Sequence, residues 1–132
     1  MSLMTNLRTR KYVNSFFKDY VRGARRRNRS FELTFNEFDT ISSKACFFCG
    51  EEPKPRIVSV TVYAGKKTQT GWAKEKMVTE PRNGIDRLDN TKGYTLENCV
   101  PCCSVCNKLK SVLTLDEFLT AITKIYNFRM RK

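Results

Sequence analysis

Residues 83–107 read NGIDRLDNTKGYTLENCVPCCSVCN. Asn83-Gly84 signals a turn, and Ile85–Leu88 behind it reads as a short apolar-flanked strand. Gly93 suits the turn of a second hairpin. Along the stretch come an acid, a glycine hairpin, an Asn, a run of cysteines and a final Asn. Such a layout points to a metal-dependent site, yet the whole chain contains no histidine.

The cysteines extend the argument upstream. Cys46-x-x-Cys49-Gly50 is a knuckle in which two thiolates grip one metal while glycine lets backbone amides fold toward the sulfurs. A tetrahedral zinc site needs a second pair. Two candidates overlap, Cys99-x-x-Cys102 and Cys103-x-x-Cys106. Adjacent Cys102 and Cys103 point in different directions, so both pairs cannot close one site. We select Cys103 and Cys106, because CSVCNKLK resembles a helix start, where thiolates gain from the N-terminal dipole. Cys99 and Cys102 are then expected in the core as small hydrophobes. The expected structural metal is Zn²⁺, held by Cys46, Cys49, Cys103 and Cys106.

The chain has 132 residues and 15.4 kDa, enough for one domain or one small domain with appendages. Its core is modest, so a metal staple is reasonable. No apolar run approaches the ~20 residues needed to cross a bilayer. That implies no membrane partner and a cytoplasmic setting (the host cytoplasm if the source is viral), where cysteines serve as metal ligands rather than disulfides. A net charge of +12 implies a polyanionic partner, DNA or another nucleic acid. Residues 1–30 hold nine Lys/Arg against Asp19 alone, and the remainder of the chain is far more balanced. We therefore divide the sequence into a basic N-terminal helix or arm, 1–30, and a zinc-stapled domain with a C-terminal helix, 31–132. Candidate DNA contacts are Arg25, Arg26, Arg27 and Arg29 of RRRNR, with Lys108 and Lys110 of NKLK.

Helical periodicity is clear at both ends. Tyr12, Val13, Phe16, Phe17, Tyr20 and Val21 form a stripe that predicts a helix over about 6–27, its aromatic face in the core. Thr34-x-x-Glu37 is a capping box opening a short helix through about Ser42, and Thr114-x-x-Glu117 opens a last one near 115–128. Leu115, Phe118, Leu119, Ile122, Ile125 and Tyr126 are its expected buried face. Between these, RIVSVTVYA (56–64) alternates as a strand, and GKKTQTGWAKEKMVTEP reads as a hairpin tip or loop.

From Cys46 to about Lys110, leaving out an insertion at roughly 51–80, these landmarks resemble the HNH branch of the His-Me finger endonucleases. The resemblance implies an α+β fold, with a small zinc-stabilised ββα-metal core flanked by helices, and a metal-dependent DNA endonuclease. A catalytically inactive zinc-containing module that binds nucleic acid, as an inhibitor or accessory protein, is the alternative. Carried over, Asp86 stands at the family's metal-binding acid and Asn107 at its final metal ligand, implying a catalytic Mg²⁺ or Mn²⁺. Asn98 stands at the Asn that braces the hairpin. Arg87 replaces the general-base His. Arginine cannot take a proton from water, but it can clamp a phosphate or stabilise developing charge. Asp89 or Tyr94 is then left to orient or deprotonate the water. A structural reading of DRLDN stands beside this: Asp86 and Arg87 brace the hairpin while Asp89 and Asn90 cap a turn.

Overall fold

The computed structural model describes residues 3–55, 57–61, 71 and 74–131. In chain order the elements are α1 (Leu3–Arg26), α2 (Phe35–Ser42), β1 (Ile57–Thr61), β2 (Lys74–Val78), β3 (Gly84–Arg87), β4 (Cys99–Cys102), α3 (Ser104–Lys110) and α4 (Leu115–Arg129). Two antiparallel pairs, β1-β2 and β3-β4, make up the sheet structure of the described residues. The β3–β4–α3 succession carries the candidate site.

Both capping boxes form. Thr34 Oγ1 accepts from Glu37 N at 3.2 Å and Glu37 Oε1 from Thr34 N at 2.9 Å, and Thr114 and Glu117 repeat the exchange at 3.1 Å each way. Helix α1 ends inside RRRNR. Asn28 takes the left-handed conformation (φ 55°), Arg29 N donates to Ala24 O at 2.8 Å and Asn28 N to Arg25 O at 3.1 Å. This is the Schellman stop, in which the helix-end carbonyls of Ala24 and Arg25 gain donors from beyond the helix. It turns the chain so that Phe31 bridges to Tyr94 in the hairpin loop.

The core gathers on Phe38, which is fully buried and meets Phe16, Phe17 and Tyr20 edge-on at 5.2–5.3 Å between ring centres. Ala24, Leu33, Ile41, Ile85, Tyr94 and Cys99 complete it. The second half of α1 therefore packs against the hairpin as part of the same core. Tyr20 Oη accepts from Ile85 N at 2.9 Å. Gly93 permits a second close approach: a Cβ there would lie 2.6 Å from the Ser30 carbonyl oxygen, so no other residue fits without moving the chain.

Two expectations need correction. Residues 74–78, read as loop, form strand β2 in register with β1, Ile57 opposite Val78 and Thr61 opposite Lys74. Polar sequence was a poor guide to a strand here. Residues 65–70 and 72–73 of the expected hairpin tip, and both ends of the expected first strand (56 and 62–64), lie outside the described residues. The expected buried face of α4 is mostly exposed. Phe118 is buried against the Phe48 ring (5.4 Å) and Leu115 is half-buried, but Leu119, Ile122, Ile125 and Tyr126 are exposed. Helical spacing shows that a face is apolar, not that this chain covers it.

Candidate metal centre and active-site groove

The knuckle is built by backbone. Gly50 sits at φ 75° and its N–H donates to Cys46 O at 2.9 Å, closing the loop around Phe47 and Phe48. Phe47 N donates to Pro101 O at 2.8 Å, anchoring the knuckle on β4. Across from it Cys103 caps α3, and Cys106 N donates to the Cys103 sulfur at 3.4 Å. Cys103 N donates to the Cys46 sulfur at 3.3 Å. The Sγ atoms of Cys46, Cys49, Cys103 and Cys106 all lie within 4.8 Å of one another.

This group has the chemistry and the size of a structural metal site. Tetrahedral zinc with Zn–S near ~2.3 Å implies sulfur–sulfur edges of ~3.8 Å, and Cys49 and Cys103 stand 3.8 Å apart. Burial pushes the Cys46 thiol up, but the N–H groups of Cys49, Cys103 and Phe48 overrule it and bring it down to about 6. Burial and the neighbouring sulfurs push Cys106 upward. Four sulfurs this close cannot all ionise unless a cation lies among them. The competing pair lies outside this cluster, and burial raises both Cys99 and Cys102 to about 12, where they remain thiols. Cys99 belongs to the Phe38 core, and Cys102 packs beside Cys46 and Cys106 while donating to Cys103 O at 3.4 Å.

The second site is a groove of about 610 Å³ between α1, the hairpin and α3. β3 contributes Asp86 and Arg87, α3 contributes Asn107, and the end of α1 contributes Arg26, Arg27 and Arg29. Asp86 is buried (8 % exposed) and its Oδ2 lies 3.1 Å from Lys110 Nζ. That oxygen nevertheless has no aligned hydrogen bond, so its contact with the ammonium is charge pairing alone. Lys110 Nζ donates instead to Arg87 O at 3.3 Å. Asp86 and Asn107 line one groove, and a carboxylate and an amide carbonyl are the hard oxygen donors that a divalent ion takes.

The remaining candidates separate. Asn98 braces the hairpin: its Nδ2 donates to Asp89 O (3.0 Å) and Gly93 O (2.9 Å), and its Oδ1 accepts from Asp89 N (2.8 Å). Arg87 Nη1 donates to the carbonyls of Asn90 (2.9 Å) and Lys92 (2.7 Å), and the guanidinium stands 5.3 Å over the Tyr94 ring. Asp89 Oδ1 accepts from Thr91 Oγ1 (2.6 Å) and Thr91 N (2.9 Å), which holds its carboxyl below the usual range and occupies it in the turn. Tyr94 lines the groove; Asp89 does not. Lys108 and Arg25 are exposed. Lys110 requires correction: it is fully buried (0 % exposed), so it has no access to a phosphate outside.

The sequence reading placed Asn90 in a turn but missed its contact with the α3–α4 turn, and it missed the partnership of Lys110 with Asp86. Asn90 Nδ2 donates to Val112 O (2.9 Å) and Leu113 O (3.3 Å), clipping the α3–α4 turn onto the hairpin. Neither contact has a local signal, because each joins segments about twenty residues apart.

No family model matches the chain. It is 27 % identical over 125 residues to "Uncharacterized protein R423" of Acanthamoeba polyphaga mimivirus, covering 95 % of this chain and 19 % of that protein. The chain thus spans about a fifth of that relative. Among solved structures it is similar to the rare-cutting HNH restriction endonuclease PacI, with TM-score 0.51 and 19 % identity over 89 % of this chain and 80 % of that one. No helix of the described residues is long and apolar enough to cross a membrane. The architecture is therefore a small α+β fold of HNH-endonuclease type, its ββα core flanked by helices and carrying a four-cysteine group placed to hold a metal.

Proposed function

We propose that the protein is a metal-dependent DNA endonuclease of HNH-like type that hydrolyses phosphodiester bonds. The observation that carries this reading is the groove in which Asp86 and Asn107 lie with Arg26, Arg27 and Arg29. An acid and an amide offer hard oxygens to a cation, while the arginines offer charge-assisted hydrogen bonds to the phosphates on either side. The likeness to PacI, an HNH restriction endonuclease, supports DNA as the partner.

In this reading the four cysteines hold a structural Zn²⁺ that fixes the knuckle to α3. Asp86 and Asn107 would hold Mg²⁺ or Mn²⁺, which when bound acidifies a water and polarises the phosphate. Asn98 and Arg87 keep the loop between the strands in shape, and Arg87 adds positive charge at the groove wall. Tyr94, which lines the groove, is left to orient the water. Missing a general base typically costs ~10²–10⁴-fold, so a slow enzyme is expected.

A second reading has its own observation. Arg87 already has two carbonyl partners and an aromatic ring, and no histidine stands elsewhere in the chain. Both facts favour a catalytically silent zinc module that binds nucleic acid. Supercoiled-plasmid cleavage in Mg²⁺ or Mn²⁺ separates the two, with Asp86→Asn as control. Asparagine keeps an acceptor for buried Lys110, whereas alanine would strand its charge. Cleavage by wild type that Asp86→Asn lacks is the result expected of the endonuclease; inactivity of both, with DNA binding intact, belongs to the binding module.

A further inference from the structure

Lys110 is a buried charge, behind the groove lining and against Asp86, that the proposed reaction does not use. It is the last residue of α3, wholly inside the protein, with its ammonium 3.1 Å from Asp86 Oδ2. A buried lysine is expensive without a counter-charge, and Asp86 is the carboxylate it faces. The consequence falls on Asp86. Its single negative charge is already balanced from within, and the second hard donor, Asn107, is neutral. The other groove-lining charges are Arg26, Arg27, Arg29 and Arg87, together with Asp19, which is paired to Arg22 at 2.6 Å. Without DNA the groove is therefore a poor place for a dication. Mg²⁺ and Mn²⁺ are commonly held by one or two carboxylates completed by phosphates of the substrate.

We infer that Lys110 is a built-in counter-cation that keeps the catalytic ion out of the DNA-free protein, so that the ion enters only when DNA phosphates bring the missing negative charge. This rests on the endonuclease reading above and adds an order of assembly to it: DNA first, metal second. It also gives the groove a safeguard, since a site that is empty of metal until DNA arrives does not collect other divalent ions. By linkage, the divalent ion and DNA then strengthen each other's binding by the same factor.

The test is a Mn²⁺ titration of zinc-loaded protein followed by the EPR signal of free Mn²⁺, with and without a short DNA duplex. Duplex alone and the Asp86→Asn complex serve as blanks. Wild type without DNA should match Asp86→Asn, and wild type with duplex should take up about one further Mn²⁺ that Asp86→Asn does not. Lys110→Met, checked for retained zinc, should bind Mn²⁺ without DNA roughly tenfold or more tightly than wild type, because a like charge a few ångströms away has gone. A lysine that only braces α3 would leave that affinity unmoved. Equal Mn²⁺ affinity in wild type with and without duplex would overturn the ordered entry and leave the endonuclease reading standing. So would zinc-loaded Lys110→Met that binds no better than wild type. Absence of any Asp86-dependent Mn²⁺, with duplex or without, would remove the catalytic ion itself and the endonuclease reading with it. If Lys110→Met does not fold, the duplex comparison on wild type decides alone.

Discussion

The four-cysteine centre and the Asp86 groove are both candidate metal sites, and they differ in completeness. At the cysteines, four soft donors from two distant segments converge within 4.8 Å, and backbone N–H groups already point at the sulfurs of Cys46 and Cys103. The chain itself supplies everything but the ion. At the proposed ion site the groove offers Asp86 and the amide Asn107, and buried Lys110 behind them neutralises the carboxylate. A self-sufficient site suits a structural role, and a deficient one suits a role in which the substrate completes it.

The largest effect should come from breaking the complete site. A structural zinc in a small domain contributes apparent binding energy of ~10–16 kcal/mol, as large as the whole stability of a typical domain, ~5–15 kcal/mol. Cys46→Ser or Cys103→Ser should therefore lose the metal and the folded centre together, seen as zinc content falling from one per chain and loss of the cooperative thermal transition. Cys102→Ser is the contrast, a buried thiol outside the ligand set, expected to retain zinc and lose only ~1–3 kcal/mol. Zinc retained in full by Cys103→Ser would move the ligand set to Cys99 and Cys102.

Breaking the deficient site should leave the zinc in place. Asp86→Asn should lose cleavage by ~10²-fold or more, since the ion's anionic ligand is gone, while keeping its zinc. Its thermal transition should fall, by up to ~3–5 kcal/mol of stability, because buried Lys110 loses its counter-charge. A large fall in zinc content would mean that the two sites are not independent.

The arginines sharpen the groove's share of binding. Arg26, Arg27 and Arg29 line it and Arg25 does not. Replacing the three by Ala should lower the slope of log affinity against log salt by up to ~3, at ~0.9 per phosphate contact, and Arg25→Ala should change it least. Equal slopes for wild type and the triple variant would make the segment a solubilising surface.

The smallest effect is expected at Arg87. Arg87→His gives up two hydrogen bonds to loop carbonyls and should lower stability by ~1–3 kcal/mol by denaturant unfolding. Imidazole, with a pKa near ~6.5, should also give cleavage a rise as pH increases through that region, where its neutral form can accept a proton. A pH profile unchanged from wild type would show that position 87 does not reach the reacting water.

What could be read from the residues alone divides along the same line. The two capping boxes, the cysteine pairs and the Asn98 brace are local or fixed-spacing devices, and each has a recognisable pattern. Contacts across the fold have none. Lys110 looked like one more surface cation in NKLK, because nothing nearby shows that α3 delivers its last side chain beneath Asp86. Arg87 looked free for a phosphate, because the carbonyls of Asn90 and Lys92 converge on it only when the loop closes. The α4 stripe misled for the opposite reason: its pattern is real, but the described residues leave Leu119, Ile122, Ile125 and Tyr126 exposed. In each case the residue type was plain and its partner was not.

A soft, resident metal that supports the fold is told apart from a separate hard ion at Asp86 that supports DNA cleavage by one measurement: dialysis against metal-free buffer, zinc per chain, and plasmid cleavage before and after adding Mg²⁺ or Mn²⁺. About one zinc per chain should remain throughout, because a thiolate site holds its ion far more tightly than the groove does. Cleavage should be absent after dialysis and should recover on adding either ion in wild type but not in Asp86→Asn. Cleavage that persists in metal-free buffer, or that returns equally in Asp86→Asn, would contradict the two-metal reading.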